Sequence, residues 1–422
     1  MRSRTVLHAP LVAVALAIFA LALLPERADA IPPFARKYGV SCSLCHQPVP
    51  RLTAFGEAFA GNGFEFAVGE LARDTIGTGD PRLRLQNSFP LGVRLDAYQV
   101  MLTKRAAGET SLDQQTPWTV KLLSGGQIAD KISYYFYFMA SDHGEVAGLE
   151  DAYIQFTDIG GSGVSVIAGQ FQVSDPLFKR ELRLSYEDYQ PYRVRVGDAR
   201  ADLTYDRGLM ALWSPREGLD LSMQLLNGQG LDAASGVNNY DRDSDKSVVL
   251  RASQDLGPLR LGVFGYSGGE TASGVKNRTR IFGPDATLAL GTRAELNVSA
   301  LRRWDSDPFY GSCTPVSPCP GGATSTFGTT VDAALAELVF WPGGPTARWW
   351  FTGLMNYVES SDPVVSLRVG EQDSSLGFLS KYRTGTFGAH YLLRTNVRVM
   401  GESTWDFERE RMRLVTGIMV GF

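Results

Sequence analysis

The sequence predicts an all-β protein: a transmembrane antiparallel β-barrel of the bacterial outer-membrane type, with about 14–18 strands and 16 favoured, behind a small α-helical N-terminal segment. Three observations carry that expectation. Segments of alternating side-chain character recur from about residue 84 onward, aromatic residues bunch near the ends of those segments, and the last segment stops on Phe422. A terminal aromatic on a final strand is the kind of ending that outer-membrane barrels use for assembly.

The alternation is plainest in "MRLVTGIMVGF", where Met412, Leu414, Thr416, Ile418, Val420 and Phe422 share one face and Arg413, Val415, Gly417, Met419 and Gly421 the other. A period of two is a strand. The same reading holds for 132–141, 163–171, 219–227, 260–267, 293–304, 331–341, 348–358 and 397–407. In the last of these, Val397, Val399, Trp405 and Phe407 oppose Arg398, Glu402, Thr404 and Asp406, so one face is greasy and the other charged. A sandwich would bury the greasy face, whereas a barrel in lipid turns it outward around a polar lumen.

The barrel is favoured by Trp349, Trp350, Trp405 and Phe407, which suit interfacial girdles, and by short connections such as "WPGGP" (341–345) alternating with long polar ones such as 305–328. About 340 residues at roughly 20 per strand and connection give the strand number.

The front of the chain divides further. Arg2 and Arg4 precede an apolar run from Ala9 to Leu24 and a small-residue site at Ala28-Asp29-Ala30, so residues 1–30 read as a signal peptide. The apolar run is too short for a spanning helix. The whole chain has net charge −4; the leader holds Arg2, Arg4 and Arg27 against Glu26 and Asp29, which leaves the remainder at −5. That acidic balance excludes nucleic acid as a natural partner. Residues 31–83 form a compact aromatic segment, and 84–422 the barrel.

Cys42-Ser43-Leu44-Cys45-His46 in the aromatic segment is C-x-x-C-H, the attachment pattern of a c-type haem. Two thiols must reach the two vinyl groups on one porphyrin edge while the following imidazole turns onto the iron, so His46 is the expected proximal ligand. A redox dithiol would not need His46, and a zinc site needs further ligands that the segment lacks. Downstream, "LTAFGEAFAGNGF" predicts a short helix from about Thr53, with Phe55 and Phe59 on one face and Gly61-Asn62-Gly63 as its stop. Phe34, Tyr38, Phe64 and Phe66 add aromatic cover. Some fifty residues are too few for an independent core, so the segment is expected to plug the barrel.

"PPFARKYGVSCSLCH" (32–46), followed by "LTAFGEAFAGNGF", resembles the front of the monohaem porin–cytochrome fusions of the iron-oxidising type. The resemblance is specific over 32–66 and extends to the barrel only as architecture and as the ending "LLRTNVRVMGE…GF". It implies one covalently attached haem c on Cys42, Cys45 and His46, and one-electron transfer across the outer membrane. Extracellular Fe(II) or another reductant would be the donor and a periplasmic cytochrome or other carrier the acceptor. Members with this front need not all oxidise iron.

The distal iron ligand has few candidates, since beyond His46 the exported chain holds only His143 and His390, and no methionine lies between Cys45 and Gln99. Counting back from a periplasmic C-terminus, "RTN" (394–396) reads as a periplasmic turn, which turns His390 inward near that rim. His390 therefore ranks first, Met400 second and Met139 third, with a water or an open site as the remaining options. An open site would point to peroxidase-like chemistry. His143 reads as part of an exposed extracellular loop, and Cys313 and Cys319, with no following histidine, as a loop disulfide. The acidic stretches 141–151, 238–246 and 302–307 match no defined metal motif. A porin for small solutes, with the haem segment as plug or redox gate, is the alternative function; lumenal Arg398, Arg411 and Arg413 suit an anion path.

Overall fold

A computed structural model describes residues 33–67, 75–87, 89–104, 111–142, 148–231, 240–241, 243–312, 328–344, 346–367 and 378–422. The proposed leader, His143, Cys313 and Cys319 lie outside the described residues.

Three short helices open the described chain: α1 (Pro33–Tyr38), α2 (Cys42–Cys45) and α3 (Ala54–Gly61). A two-stranded hairpin, β1 (Thr75–Gly77) with β2 (Arg84–Gln86), follows. The barrel sheet itself therefore begins at Leu91 and not at 84, because Arg84–Gln86 pairs with Thr75–Gly77.

The barrel strands are β3 (Leu91–Leu102), β4 (Leu112–Ala129), β5 (Ile132–Asp142), β6 (Gly148–Phe156), β7 (Val164–Gln172), β9 (Tyr205–Arg216), β10 (Leu219–Leu226) and β11 (Ser247–Leu256). They continue as β12 (Leu259–Ala272), β13 (Val275–Leu290), β14 (Ala294–Asp305), β15 (Thr329–Phe340), β16 (Trp349–Ser360), β18 (Lys381–Arg394), β19 (Val397–Asp406) and β20 (Arg411–Gly421). These sixteen are antiparallel to their neighbours and close on themselves where β20 pairs with β3, Gly417 opposite Tyr98. Two short strands, β8 (Arg195–Val196) and β17 (Val365–Ser366), pair with each other outside the barrel sheet. Among the described residues no helix is long and apolar enough to cross a membrane, so the crossing is made by strands.

Side chains obey the alternation read from the sequence. On β18 Phe387 is 56% exposed while Thr386 is 6% exposed, and on β19 Trp405 faces out between the buried Thr404 and Asp406. The exposed set, including Trp213, Phe282, Trp349, Met355 and Phe387, makes an apolar outer surface that is stable only against lipid. The chain is thus an outer-membrane barrel. One girdle assignment needs correction: Trp349 is 51% exposed but Trp350 only 1%, because adjacent residues of a strand point to opposite faces. Trp350 belongs to the lumen, where it stacks on His390 at a ring distance of 5.7 Å.

Connections at one end are short, as at 130–131, 217–218, 257–258 and 395–396. Those at the other end include 173–204, 306–328 and 361–380. Short turns mark the periplasmic side of such barrels. The connection 173–204 folds back into the lumen. Glu402 accepts from the backbone N–H groups of Tyr186 (2.7 Å) and Glu187 (3.0 Å), the Tyr189 hydroxyl donates to Glu337 (2.9 Å), and Arg303 donates to the carbonyls of Val194 (2.9 Å) and Ala201 (2.7 Å).

Candidate functional site

The C-x-x-C-H segment is a single helical turn. Ser41 caps it, its hydroxyl accepting from the Ser43 N–H at 3.3 Å, and the His46 N–H closes it onto the Cys42 carbonyl at 2.9 Å. The chain then doubles back, so that the Thr53 N–H reaches the Cys45 carbonyl at 2.8 Å and the Thr53 hydroxyl donates to the Leu44 carbonyl at 2.7 Å. Thr53 also caps α3, accepting from the Gly56 N–H at 3.1 Å. Helix α3 lies against the Cys45 carbonyl so closely that a Cβ on Gly56 would stand 2.4 Å from that oxygen. The turn and the helix thus form one unit.

Within that unit Nδ1 of His46 lies 2.8 Å from the Pro50 carbonyl oxygen. A carbonyl only accepts, so the proton resides on Nδ1 and the Nε2 lone pair is left for a metal. Burial also lowers the His46 pKa, which keeps the ring neutral. Cys42 and Cys45 are free thiols, each partly exposed. Burial pushes both thiols above their ordinary value, and the proximity of Cys42 raises Cys45 further. Protonated thiols of this kind are poor material for a thiolate-based redox pair. Two thiols on one turn, followed by an imidazole with a free Nε2, are the donor set that a c-type haem requires. Among the described residues no three His, Cys, Asp or Glu side chains gather into a metal-binding group.

The segment 33–67 sits inside the periplasmic mouth. Arg36 donates to the Leu91 carbonyl (2.8 Å), Gln155 to the Gly61 carbonyl (2.6 Å), and Arg51 reaches both Glu295 and Glu337 on the wall. Lys179, on the in-folded connection, pairs with Glu57 at 2.7 Å, so plug and connection meet in the lumen. Phe34, Tyr38, Phe59, Phe64 and Phe66 pack on one another, and Phe64 stacks on Tyr135 of β5 at 5.3 Å. The aromatic residues thus fasten plug to wall. The predicted helix is present as α3, with Phe59 buried and Phe55 38% exposed, and its left-handed stop falls at Gly63 (φ 76°).

His390 is fully buried on the inner face of β18, opposite Met400 of β19 and Trp350 of β16. Its Nε2 is 2.9 Å from the Thr352 hydroxyl, and its Nδ1 has no hydrogen-bond partner. Next to this pair on β19, Arg398 donates to the Val49 carbonyl of the plug at 3.4 Å. Met139, the third candidate, is buried beside the Tyr137 hydroxyl (3.8 Å) on β5. Lumenal Arg411 and Arg413 face acidic partners, Asp406 and Glu187. The lumen keeps a cavity of about 370 Å³, lined by Arg94, Lys121, Glu181, Arg183, Arg398 and Arg413 among others. In two of the acidic stretches, 238–246 and 302–307, carboxylates meet basic partners: Lys246 pairs with Asp241, Lys276 with Asp245, and Arg303 with Asp305.

Fold and lumen together define the class: a porin-like outer-membrane barrel whose periplasmic mouth holds the helical segment 33–67. Several solved barrels share the fold. A loop-deletion form of the outer membrane protein OmpT of Vibrio cholerae superposes with a TM-score of 0.52 at 9% identity, over 79% of this chain and 99% of that one. The anion-selective porin from Comamonas acidovorans gives 0.53 at 12% identity, with 79% and 99% covered. The outer membrane channel DcaP of Acinetobacter baumannii gives 0.51 at 10%, with 79% and 96% covered. No protein-family model and no curated protein matches the chain. Similarity at this level establishes the barrel fold alone.

The in-folded connection is the lumenal element that the sequence pattern does not announce. Its signal was present in Leu184, Tyr186, Tyr189, Tyr192 and Val194, apolar or aromatic residues spaced through a charged stretch that was too polar to read as a strand.

Proposed function

We propose that this chain is a monohaem electron conduit of the outer membrane. It carries one covalently bound haem c on its plug and passes single electrons from an extracellular reductant, Fe(II) foremost, to a periplasmic carrier such as a cytochrome. The observation that supports it best is the His46–Pro50 contact of 2.8 Å beside two free thiols, a ligand-ready imidazole on an attachment turn held in the periplasmic mouth. A haem bound there supplies a reversible one-electron couple. Cys42 and Cys45 would provide its thioether bonds and His46 a nitrogen donor, and His390, with its buried Nδ1 unpartnered, is the leading candidate for a second nitrogen donor. The connection 173–204 packs against the inner wall above the plug, through Glu402 and Glu337, and narrows the lumen there. Oxidation of Fe(II) outside would yield Fe(III) there and one electron for the acceptor, with no bond made to substrate.

A porin for small solutes, gated or merely blocked by the plug, is the second reading. It draws on the likeness to solved channels and on the polar cavity. Stopped-flow mixing of the oxidised, haem-loaded protein with Fe(II) under anaerobic conditions separates them. Rapid growth of reduced haem bands supports the conduit. A haem that dithionite reduces and Fe(II) leaves untouched, together with solute flux through reconstituted barrels, would favour the porin.

A further inference from the structure

We propose that Arg398 is the anchor for a carboxylate carried by the bound cofactor, a haem propionate, and that it fixes the plug's cofactor against β19. The inference rests on the haem reading above and adds a residue of the barrel wall to it.

Arg398 is 2% exposed, and its environment is incomplete for a guanidinium. One terminal nitrogen donates to the Val49 carbonyl at 3.4 Å, and the other meets only the Met400 sulfur at 3.9 Å. Nε is fully covered and has no partner. A buried arginine ordinarily meets a carboxylate or phosphate in a forked pair, since an uncompensated buried charge is strongly unfavourable. Among the described residues no carboxylate is within ion-pairing distance. The two acids nearby are committed elsewhere. Asp96 is held by Arg94 at 2.8 Å, and Glu402 accepts from the backbone of Tyr186 and Glu187.

The position points to the missing anion. Cys42, an expected attachment point, has its sulfur 4.0 Å from Asn396 Oδ1, in the turn that leads into β19. Arg398 lies two residues beyond that turn and faces inward, with His390 across the strand pair from its neighbour Met400. Haem attached through its vinyl edge presents its two propionates on the opposite edge, so an anchor at the turn and a cation farther along the same wall match its polarity. Arg398 touches both the plug carbonyl and the cavity, which a wall arginine serving only as a brace would not need to do. A small free anion such as phosphate offers the same chemistry, and the test must tell the two apart.

The full-length chain is produced with the cytochrome c maturation machinery as wild type, Arg398→Met and Arg398→Lys. Covalent haem per chain is measured first, and folding is checked by the altered gel migration of unheated barrels. Midpoint potentials are then read in detergent, with and without phosphate at constant ionic strength. Removal of a positive charge from the propionate edge, leaving a propionate uncompensated, stabilises the ferric form. Arg398→Met is therefore expected to carry haem at a potential shifted negative, Arg398→Lys to recover most of the shift, and phosphate to have no effect. Resonance Raman gives a second readout should Arg398→Met not fold: the propionate bending band is expected to move between wild type and Arg398→Lys. Equal potentials in all three proteins, or an unmoved band, would overturn the assignment. A wild-type potential that tracks phosphate would assign the guanidinium to a free anion instead. Wild-type chains without covalent haem would bring down the haem reading itself, a result distinguishable from the others at the first step.

Discussion

Arg51 of the plug and Glu337 of β15 stand 3.4 Å apart although 286 residues separate them in sequence, and Glu295 of β14 is closer still. This triad ties the segment bearing Cys42, Cys45 and His46 to the wall. Hydrogen bonds to charged groups contribute about 1.5–3 kcal/mol each. Arg51 keeps 20% of its side chain exposed, which places it toward the lower end. Arg51→Ala should loosen the plug and raise the single-channel conductance of the reconstituted barrel above a low wild-type value. Unchanged conductance would show that the plug is not the barrier to ions.

The attachment turn leads to a second expectation. Cys42→Ala and Cys45→Ala together should abolish haem-linked peroxidase staining at the mass of the denatured chain. The barrel should still show its folded, heat-modifiable migration, because both thiols sit on the plug and neither forms a disulfide. Staining that persists in the double variant would remove the covalent haem from the account.

Much of this arrangement was legible before the structure, and the reasons are local. Parity along a strand places His390, Met400 and Arg398 inside as soon as Phe387 and Val399 are assigned to lipid. The same parity should have withdrawn Trp350 from the girdle once Trp349 was placed there, but bunched aromatics near a strand end mask it. The connection 173–204 has no periodicity to read, and its place in the lumen depends on partners such as Glu402 and Arg303 far along the chain. Likewise, C-x-x-C-H is a local pattern that can be read directly in the chain, whereas the mouth that houses it is specified by distant pairs such as Arg51 with Glu337.

Helix α3 supplies a third expectation. Gly56 packs where a Cβ would lie 2.4 Å from the backbone oxygen of Cys45 and 3.0 Å from Leu52 Cδ2. Backbone cannot yield as a flexible side-chain tip can, and overpacking of this kind costs about 1–3 kcal/mol. Gly56→Ala should lower the haem content per folded barrel, measured as the ratio of haem absorbance to protein, while Ala58→Gly in the same helix serves as a control for helix propensity. Equal ratios in wild type and Gly56→Ala would mean that α3 does not hold the turn in shape.

His390 carries the last expectation. Its ring lies at 13° to Trp350, its Nε2 is engaged with Thr352, and its Nδ1 is buried without a partner. If Nδ1 is the distal nitrogen of the bound cofactor, His390→Ala should convert the ferric spectrum from low spin to high spin, read as a blue-shifted Soret band and a new charge-transfer band. Met400→Leu, on the facing strand, should leave the spectrum unchanged, and exogenous imidazole should restore the low-spin form of His390→Ala. A low-spin spectrum that survives in His390→Ala would return the residue to wall packing between Trp350 and Thr352. If Met400→Leu then became high spin, the ligand would be that sulfur, which lies directly across the strand pair.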